Sequence, residues 1–476
     1  MAQQTTATER NDLSMPPGPR GLPIVGSLLS LRNDPQIALT RIAREYGDVC
    51  TVRLGSVPTI VISHPTLLRD AFSRVALADR WISRITEIMT SGEDLAFAPY
   101  GEYWRQLQRF ANRELLSYRR VQDIRERYIE ESVNILVARV GEMCDAGAPL
   151  EPRDFLPRAN GEMMFRAIFG RDANDTVEFY EKLDDLLNTT FWFFANASAA
   201  NPADYISMLK FLPNHALEEA QKMTDRMTEI LDFLIGKVKE RPDLNLNAPT
   251  CLVEVMLASV EREEITYDMM RNLIGDLLVA GIDTTAQTMA WLLLILANRQ
   301  RLQDRAHEEL TAAVGADGLP GMEHQSDLSY MHAIVLESMR YRTVAPLGLP
   351  HKAIEDVELD GYIIPKDAQV LGNIYAIHHD ERFWNSPNEF IPDRFLFTKD
   401  GAPPPALTSG AFMPFGTGRR GCPGQGFAEI VIWLQACRLL HKYRLTPHGT
   451  DRLPEDEVFG LAISPIPYAL NIERRA

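Results

Sequence analysis

The spacing of apolar residues changes along the chain, and the changes mark its elements. VCTVRL (49–54) and TIVIS (59–63) are short runs parted by GSVP, which predicts a β-hairpin. From about 65 to 310 apolar residues recur mostly at helical spacing, with breaks near 147–152, 198–203, 240–250 and 313–326. The stretch LIGDLLVAGIDTTAQTMAWLLLILA (273–297) is long enough to cross a bilayer. It carries Asp276, Asp283, Thr284, Thr285 and Gln287, however, and carboxylates are costly inside a membrane. A buried central helix is therefore predicted. DLSYMHAIVLESMRY (327–341) and GFAEIVIWLQACRLLHKY (426–443) also read as helices. Strand-like pieces return after 343, notably VELDGYIIP (357–365), and the last twenty residues look strand-like. PPGPRGLP (16–23) cannot be helical and reads as a stiff leading segment. No break is long enough for a linker. The pattern predicts one domain over 1–476, mainly α with a minor β part, behind a disordered polar tail at 1–15.

Composition narrows the function more than the fold. The 476 residues are 45% hydrophobic and 24% charged, ample for a core. A net charge of -16 argues against nucleic acid or an anionic membrane surface as partner. The five cysteines (Cys50, Cys144, Cys251, Cys422, Cys437) are scattered and form no C-x-x-C pair, which suits a reducing compartment. MAQQTTATERNDLSM lacks the apolar core of a signal peptide, and GLPIVGSLLSL (21–31) is too short to span a membrane. A cytoplasmic monomer is expected, with at most peripheral membrane contact through apolar loops near FLPN (211–214).

FGTGRRGCPG (415–424) packs four glycines, a cysteine and a proline into ten positions. It contains a literal G-x-G-x-x-G, but a dinucleotide site needs a second strand and an acidic residue roughly 20 positions on. Here that position falls inside the helical CRLLHKY, and the Gly-Lys-Ser/Thr of a phosphate loop is missing. Cys422 gives the better starting point. Glycines let backbone lie flat against a bulky planar group and let amide N–H groups turn toward one sulfur. Pro423 suits the first position of a helix whose positive end favours an anion just before it. Arg420 can reach an acidic group on the ligand's far edge. A thiolate in such a cradle suits haem iron.

Phe415, Gly418, Arg420, Cys422 and Gly424 fit F-x-x-G-x-R-x-C-x-G, and on these residues the chain resembles the cytochrome P-450 family. The resemblance runs from PPGPRGLP to the C-terminus. Its texture is closest to animal microsomal steroid and aromatic hydroxylases, whose N-terminal membrane anchor this chain lacks. It implies a helical bundle around heme b, with small β-sheets and Cys422 as axial thiolate. Glu337 and Arg340 of ESMR, with Arg394 of PDRF, match a buried ion-pair cluster that supports the cysteine loop. Asp393 stands where a glutamate is commoner. AGIDTT (280–285) resembles the oxygen-activation segment: Gly281 thins the helix, Thr284 is expected to bend or open it, and Asp283 and Thr284 form an acid–hydroxyl pair for proton delivery. Trp104 of YGEYWRQLQRF and His351 of LGLPHKA match propionate-binding positions, but Gln108 replaces the usual arginine.

The implied activity is monooxygenation of an apolar substrate with O2, using electrons passed from NAD(P)H by a ferredoxin or flavin reductase. Phe97, Phe191, Phe194, Leu277, Ala280, Thr284, Val344, Leu347, Leu461, Ala462 and Ile463 are the implied pocket residues. Such a lining favours a steroid, terpenoid or polycyclic aromatic. Arg105, Arg109, Arg113, Arg119 and Arg120, with Arg419, Arg438 and Lys442, suggest a basic face near Cys422 for an acidic electron donor. Two other readings stay open: a non-catalytic haem-thiolate sensor or carrier, and a haem-thiolate enzyme that uses or rearranges peroxide.

Overall fold

The computed structural model describes residues 13–31, 34–170, 177–197, 202–206, 208–209, 214–398 and 401–475. Most of the expected tail (1–12) and residues 211–213 of the FLPN loop lie outside them.

The central helix, Tyr267–Ala297, is the axis of the molecule. Thr266 caps it, its hydroxyl accepting the Met269 N–H. Apolar residues cover every face of its C-terminal half, from Ala286 to Ala297, so that half is buried all round. Helices Pro152–Phe169, Leu252–Glu261, Ser329–Tyr341 and Gln425–Lys442 pack against it and build the main core. It is the single helix among the described residues long and apolar enough to cross a membrane, and 78% of its most apolar window is buried.

AGIDTT does not interrupt this helix, contrary to the sequence expectation. The Thr284 hydroxyl donates back to the Ala280 carbonyl at 2.7 Å, and the helical ladder holds. Gly281 is small for a different reason: a Cβ there would stand 2.9 Å from Met164 Cε on the neighbouring helix. The thinning admits a packing partner rather than a bend.

The β part begins with the predicted hairpin. β1 (Val49–Leu54) and β2 (Val57–Ile62) pair antiparallel, Val49 facing Ile62. β3 (Asp79–Arg80) and β4 (His351–Lys352) pair antiparallel, setting Arg80 opposite His351. β5 (Val357–Leu359) and β6 (Tyr362–Ile364) form the second hairpin, from VELDGYIIP. β7 (Gln369–Gly372) runs parallel to β2 and antiparallel to β4, completing a sheet ordered β1-β2-β7-β4-β3. β8 (Tyr443–Pro447), β9 (Glu457–Val458), β10 (Ser464–Pro465) and β11 (Leu470–Arg474) form two two-stranded pairs, β8 with β11 and β9 with β10. The last twenty residues are thus only partly strand, because Pro465 and Pro467 remove ladder donors.

Candidate functional site: a cysteine loop, a buried cationic clamp and an apolar roof

The cysteine loop is shaped by two left-handed glycines. Gly416 has φ +73° and Gly418 φ +76°. A Cβ on Gly418 would stand 2.3 Å from the Phe72 carbonyl oxygen, so backbone-to-backbone packing itself demands glycine. The Cys422 N–H donates to the Phe415 carbonyl at 2.9 Å, folding the loop back on itself. The following helix starts at Gln425 with Gly424 at its cap. Pro423 therefore lies in the turn before it, not at the first helical position as expected. Cys422 is the only exposed cysteine of the five. Burial within the protein mass nevertheless raises its pKa, the Gly424 N–H partly opposing this.

Above the loop lies a cluster of buried cations. Arg420 stacks on Trp104, 3.9 Å from its ring, and donates to the carbonyls of Ala78 and Ala98. Arg80, which the sequence analysis passed over, donates to Ala96 and Leu349 at 2.9 and 3.1 Å. Burial and then the charge of Arg420 lower the Arg80 pKa to about 9, against the pull of Asp94 and Asp79; burial lowers that of Arg420 to about 10, against Asp79 and Asp94. His351 lies flat on Phe72, ring centres 3.6 Å apart, with Nδ1 2.6 Å from the Leu77 carbonyl. Burial and then Arg80 hold its pKa well below the ordinary histidine value. The Trp104 N–H donates to Leu95 at 3.0 Å.

This donor set tests the fit of the implied haem. Among the described residues neither Arg80 nor Arg420 makes an ion pair within 4 Å. Two guanidinium groups held in low dielectric, their charge only partly balanced by Asp79 and Asp94 beyond ion-pair distance, favour an anionic guest. A planar group with carboxylates on one edge fits them, with Cys422 available for its metal. Gln108 does not join the clamp; it donates to the Arg419 carbonyl at 3.2 Å. Arg105 and Arg109 both turn to Glu102 on the surface.

The loop 94–98 that receives so many of these bonds is pinned by two carboxylates. Asp94 accepts the N–H groups of Phe97 and Ala98 at 2.8 and 2.9 Å, and Asp276 of the central helix accepts that of Leu95 at 2.6 Å. Burial pushes Asp94 up to about 6, and burial followed by the Asp94 charge pushes Asp276 well above its ordinary value. Of the two, Asp94 is the better anion because two amides face it.

Glu337, Arg340 and Arg394 come together. Arg340 grips Glu337 through two bonds of 2.7 and 2.9 Å, both side chains fully buried. Arg394 adds a third at 3.2 Å, and the Ile391 N–H a fourth at 2.8 Å. The remaining Arg340 donors hold the carbonyls of His378, Pro387 and Glu389. Asp393 points outward to Arg305.

On the central helix Ala280 is exposed and Leu277 and Thr284 are half-buried, which marks one face left open by the neighbouring helices. Asp283 is buried on a different side. Its carboxylate accepts from Gln287 at 3.0 Å, and burial raises its pKa to about 6. Asp283 and Thr284 are neighbours in sequence but are not hydrogen-bonded to each other.

Phe97, Phe193, Phe194 and Ala462 form a compact apolar cluster, with Val279, Val344, Leu349 and Leu461 against it. Backbone bonds from Leu461 to Phe194 and from Ile463 to Val344 strap it together. Two expected pocket residues, Phe191 and Leu347, lie elsewhere. Phe191 is exposed, sharing a solvent face with Asp184, Asn188 and Ala195, and Phe193 takes the inward position instead. Leu347 packs in a separate cluster with Val61 and Leu371. Ile463 is fully buried, its carbonyl held by Trp291.

The basic face also needs correction. Arg438 is buried, bound to Glu130, Asn134 and Pro320. Arg105, Arg109, Arg113, Arg119, Arg419 and Lys442 are exposed and Arg120 is half-buried, and Glu102 and Glu114 already pair with the first arginines.

Comparison with known proteins bears on this geometry. A family model described as "Cytochrome P450" matches residues 16–472. Cytochrome P450 516B1 of Dictyostelium discoideum, named there as a probable member, is 30% identical over 97% of this chain and 95% of its own length. Cytochrome P450 1A2 of Cavia porcellus is 30% identical over 97% and 92%. CYP736A12 of Panax ginseng is 31% identical over 97% and 93%.

Proposed function

Because the chain belongs to the cytochrome P450 family, and so is a haem-thiolate monooxygenase using heme b, O2 and NAD(P)H electrons through a redox partner, we propose which residues run that chemistry and on what. Cys422 would hold the haem iron through its sulfur. Arg80 and Arg420 would meet the haem's carboxylates, with Trp104 stacked behind Arg420; His351, whose Nδ1 is taken by Leu77, would join them through Nε2 once protonated; and Glu337, Arg340 and Arg394 brace the loop. The observation that carries this reading is the one exposed cysteine standing in a glycine loop beside two buried, unpaired guanidinium groups. When bound, the haem supplies oxygen activation, favoured by the electron-rich sulfur.

The chain's own residues then handle protons, substrate and water. Thr284 spends its hydroxyl hydrogen on Ala280, which leaves its lone pairs free to accept a hydrogen bond. Asp283, with a pKa of about 6, takes up and releases a proton close to neutral pH. The cluster of Phe97, Phe193 and Phe194 excludes water from the reacting region. Its aromatic character favours a bulky apolar substrate of steroid, terpenoid or polycyclic aromatic type. An acidic electron donor docks on the exposed arginines near Cys422.

The decisive experiment is the reduced protein under carbon monoxide. A long-wavelength Soret band is expected from the native chain and its loss from Cys422→Ala. An unaltered spectrum in the variant rejects the ligand assignment. A panel of apolar ligands read by spectral shift tests the substrate class, and tight binding of a small dicarboxylate rejects it.

A further inference from the structure

His378 stands between the ion-pair cluster and the cysteine loop, and the sequence pattern gives it no role. It lies in the segment Ile374–His378 and is fully buried. Its Nε2 receives the backbone N–H of Met413 at 3.0 Å. A backbone amide can only donate, so Nε2 is the bare nitrogen and the ring proton sits on Nδ1. Nδ1 is 2.6 Å from the Thr343 hydroxyl and donates to it. Thr343 then passes its own hydrogen to the Arg340 carbonyl at 3.2 Å. The carbonyl of His378 receives the Arg340 guanidinium at 2.7 Å. Every polar atom of the residue's ring and its carbonyl is therefore engaged, and each bond has one direction.

The two ends of this chain matter. One end is Arg340, clamped to Glu337. The other is Met413, two residues before Phe415, whose carbonyl holds the N–H of Cys422. Phe412 lies parallel to the imidazole at 5.9 Å and Trp384 meets it edge-on at 6.2 Å, which fixes the ring plane. Burial, Arg340 and His379 hold the ring neutral, as the Met413 bond requires.

We propose that His378 is a positioning residue that transmits the rigidity of the Glu337–Arg340–Arg394 cluster to the cysteine loop and so sets where the Cys422 sulfur stands. A rigid ring with one donor and one acceptor at opposite sides spans the gap; a flexible amide spans it less firmly, and a hydrocarbon not at all. The inference rests on Cys422 being the haem ligand.

His378→Phe keeps the ring and its stacking but removes both bonds. His378→Gln keeps an acceptor for Met413. Thr343→Val and Thr343→Ser test the other link. The readout is the proportion of the long-wavelength Soret band in the reduced, carbon monoxide-bound protein, alongside haem content and melting temperature. The long-wavelength proportion should fall in the order native, Gln, Phe, with Thr343→Ser close to native and Thr343→Val clearly below it. If the Phe variant does not fold, the Gln and Thr343 variants decide. A role in stability alone predicts lower melting temperatures with unchanged band proportions, and that result overturns the proposal. A native protein without the band overturns the Cys422 assignment instead.

Discussion

Arg80 and Arg420 are cations buried beside each other, and the cost of holding them there has a functional counterpart. Each donates mainly to backbone carbonyls, which offset only part of the desolvation. An anionic guest supplies the rest. Arg80→Leu should weaken haem retention by about 2 kcal/mol, roughly thirtyfold, measured as transfer to a haem-scavenging protein. Retention equal to native would remove Arg80 from the site. Asp283 makes a second prediction with a definite sign. Its folded pKa of about 6 lies above the ordinary aspartate value of 3.8, so the folded state binds more protons in that window. Its contribution to stability is lost as pH rises from about 4 through about 6. Asp283→Asn should remove that slope and stabilise the protein above it by about 1–3 kcal/mol, while slowing turnover about a hundredfold. Denaturation midpoints across pH and steady-state rates check both halves. Cys422, Arg420, Glu337 and Arg340 were legible because fixed spacings announce them. Arg80, in ALADRW, has no such spacing; its importance lies in β3 facing β4, which only the sheet creates.

Among the elements, the loop 94–98 depends most on a neighbour. Asp276 holds the Leu95 N–H, and Asp94 holds two more amides of the same loop. Asp276→Asn keeps an acceptor and supplies a donor to Asp94, so it should leave amide protection at 95–98 unchanged or higher. Asp276→Leu orphans the Leu95 amide, and protection there should drop by about 1–3 kcal/mol in hydrogen exchange. Equal protection in both variants contradicts the pinning. Helices and hairpins were readable from period, including VCTVRL, TIVIS and the central helix. The bend expected at AGIDTT was not, because a glycine in a helix has two uses and sequence does not say which. Met164 decides it. Phe191 fails likewise: in FWFF every residue is apolar, so hydrophobicity alone cannot choose the inward face.

For the molecule as a whole, the charge of -16 and the exposed arginines near Cys422 act together. Reversing Arg109 and Arg113 to glutamate should slow reduction by the electron donor severalfold at low salt, with the difference vanishing as ions screen the face. Reduction rates indifferent to both changes would move the docking site elsewhere. Glu102 and Glu114 already occupy part of this face, so the effect should be modest.

The parallel pairing of β2 with β7 joins residues 59–62 to 369–372, and the cationic clamp joins Arg80 and Trp104 to His351 and Arg420. A ribosome releases the first members of each set long before the last, at roughly 5–20 residues per second. No nascent fragment ending before the cysteine loop contains the complete clamp. The clamp for the prosthetic group is therefore completed only when the cysteine loop has emerged and Arg420 has docked on Ala78, Ala98 and Trp104.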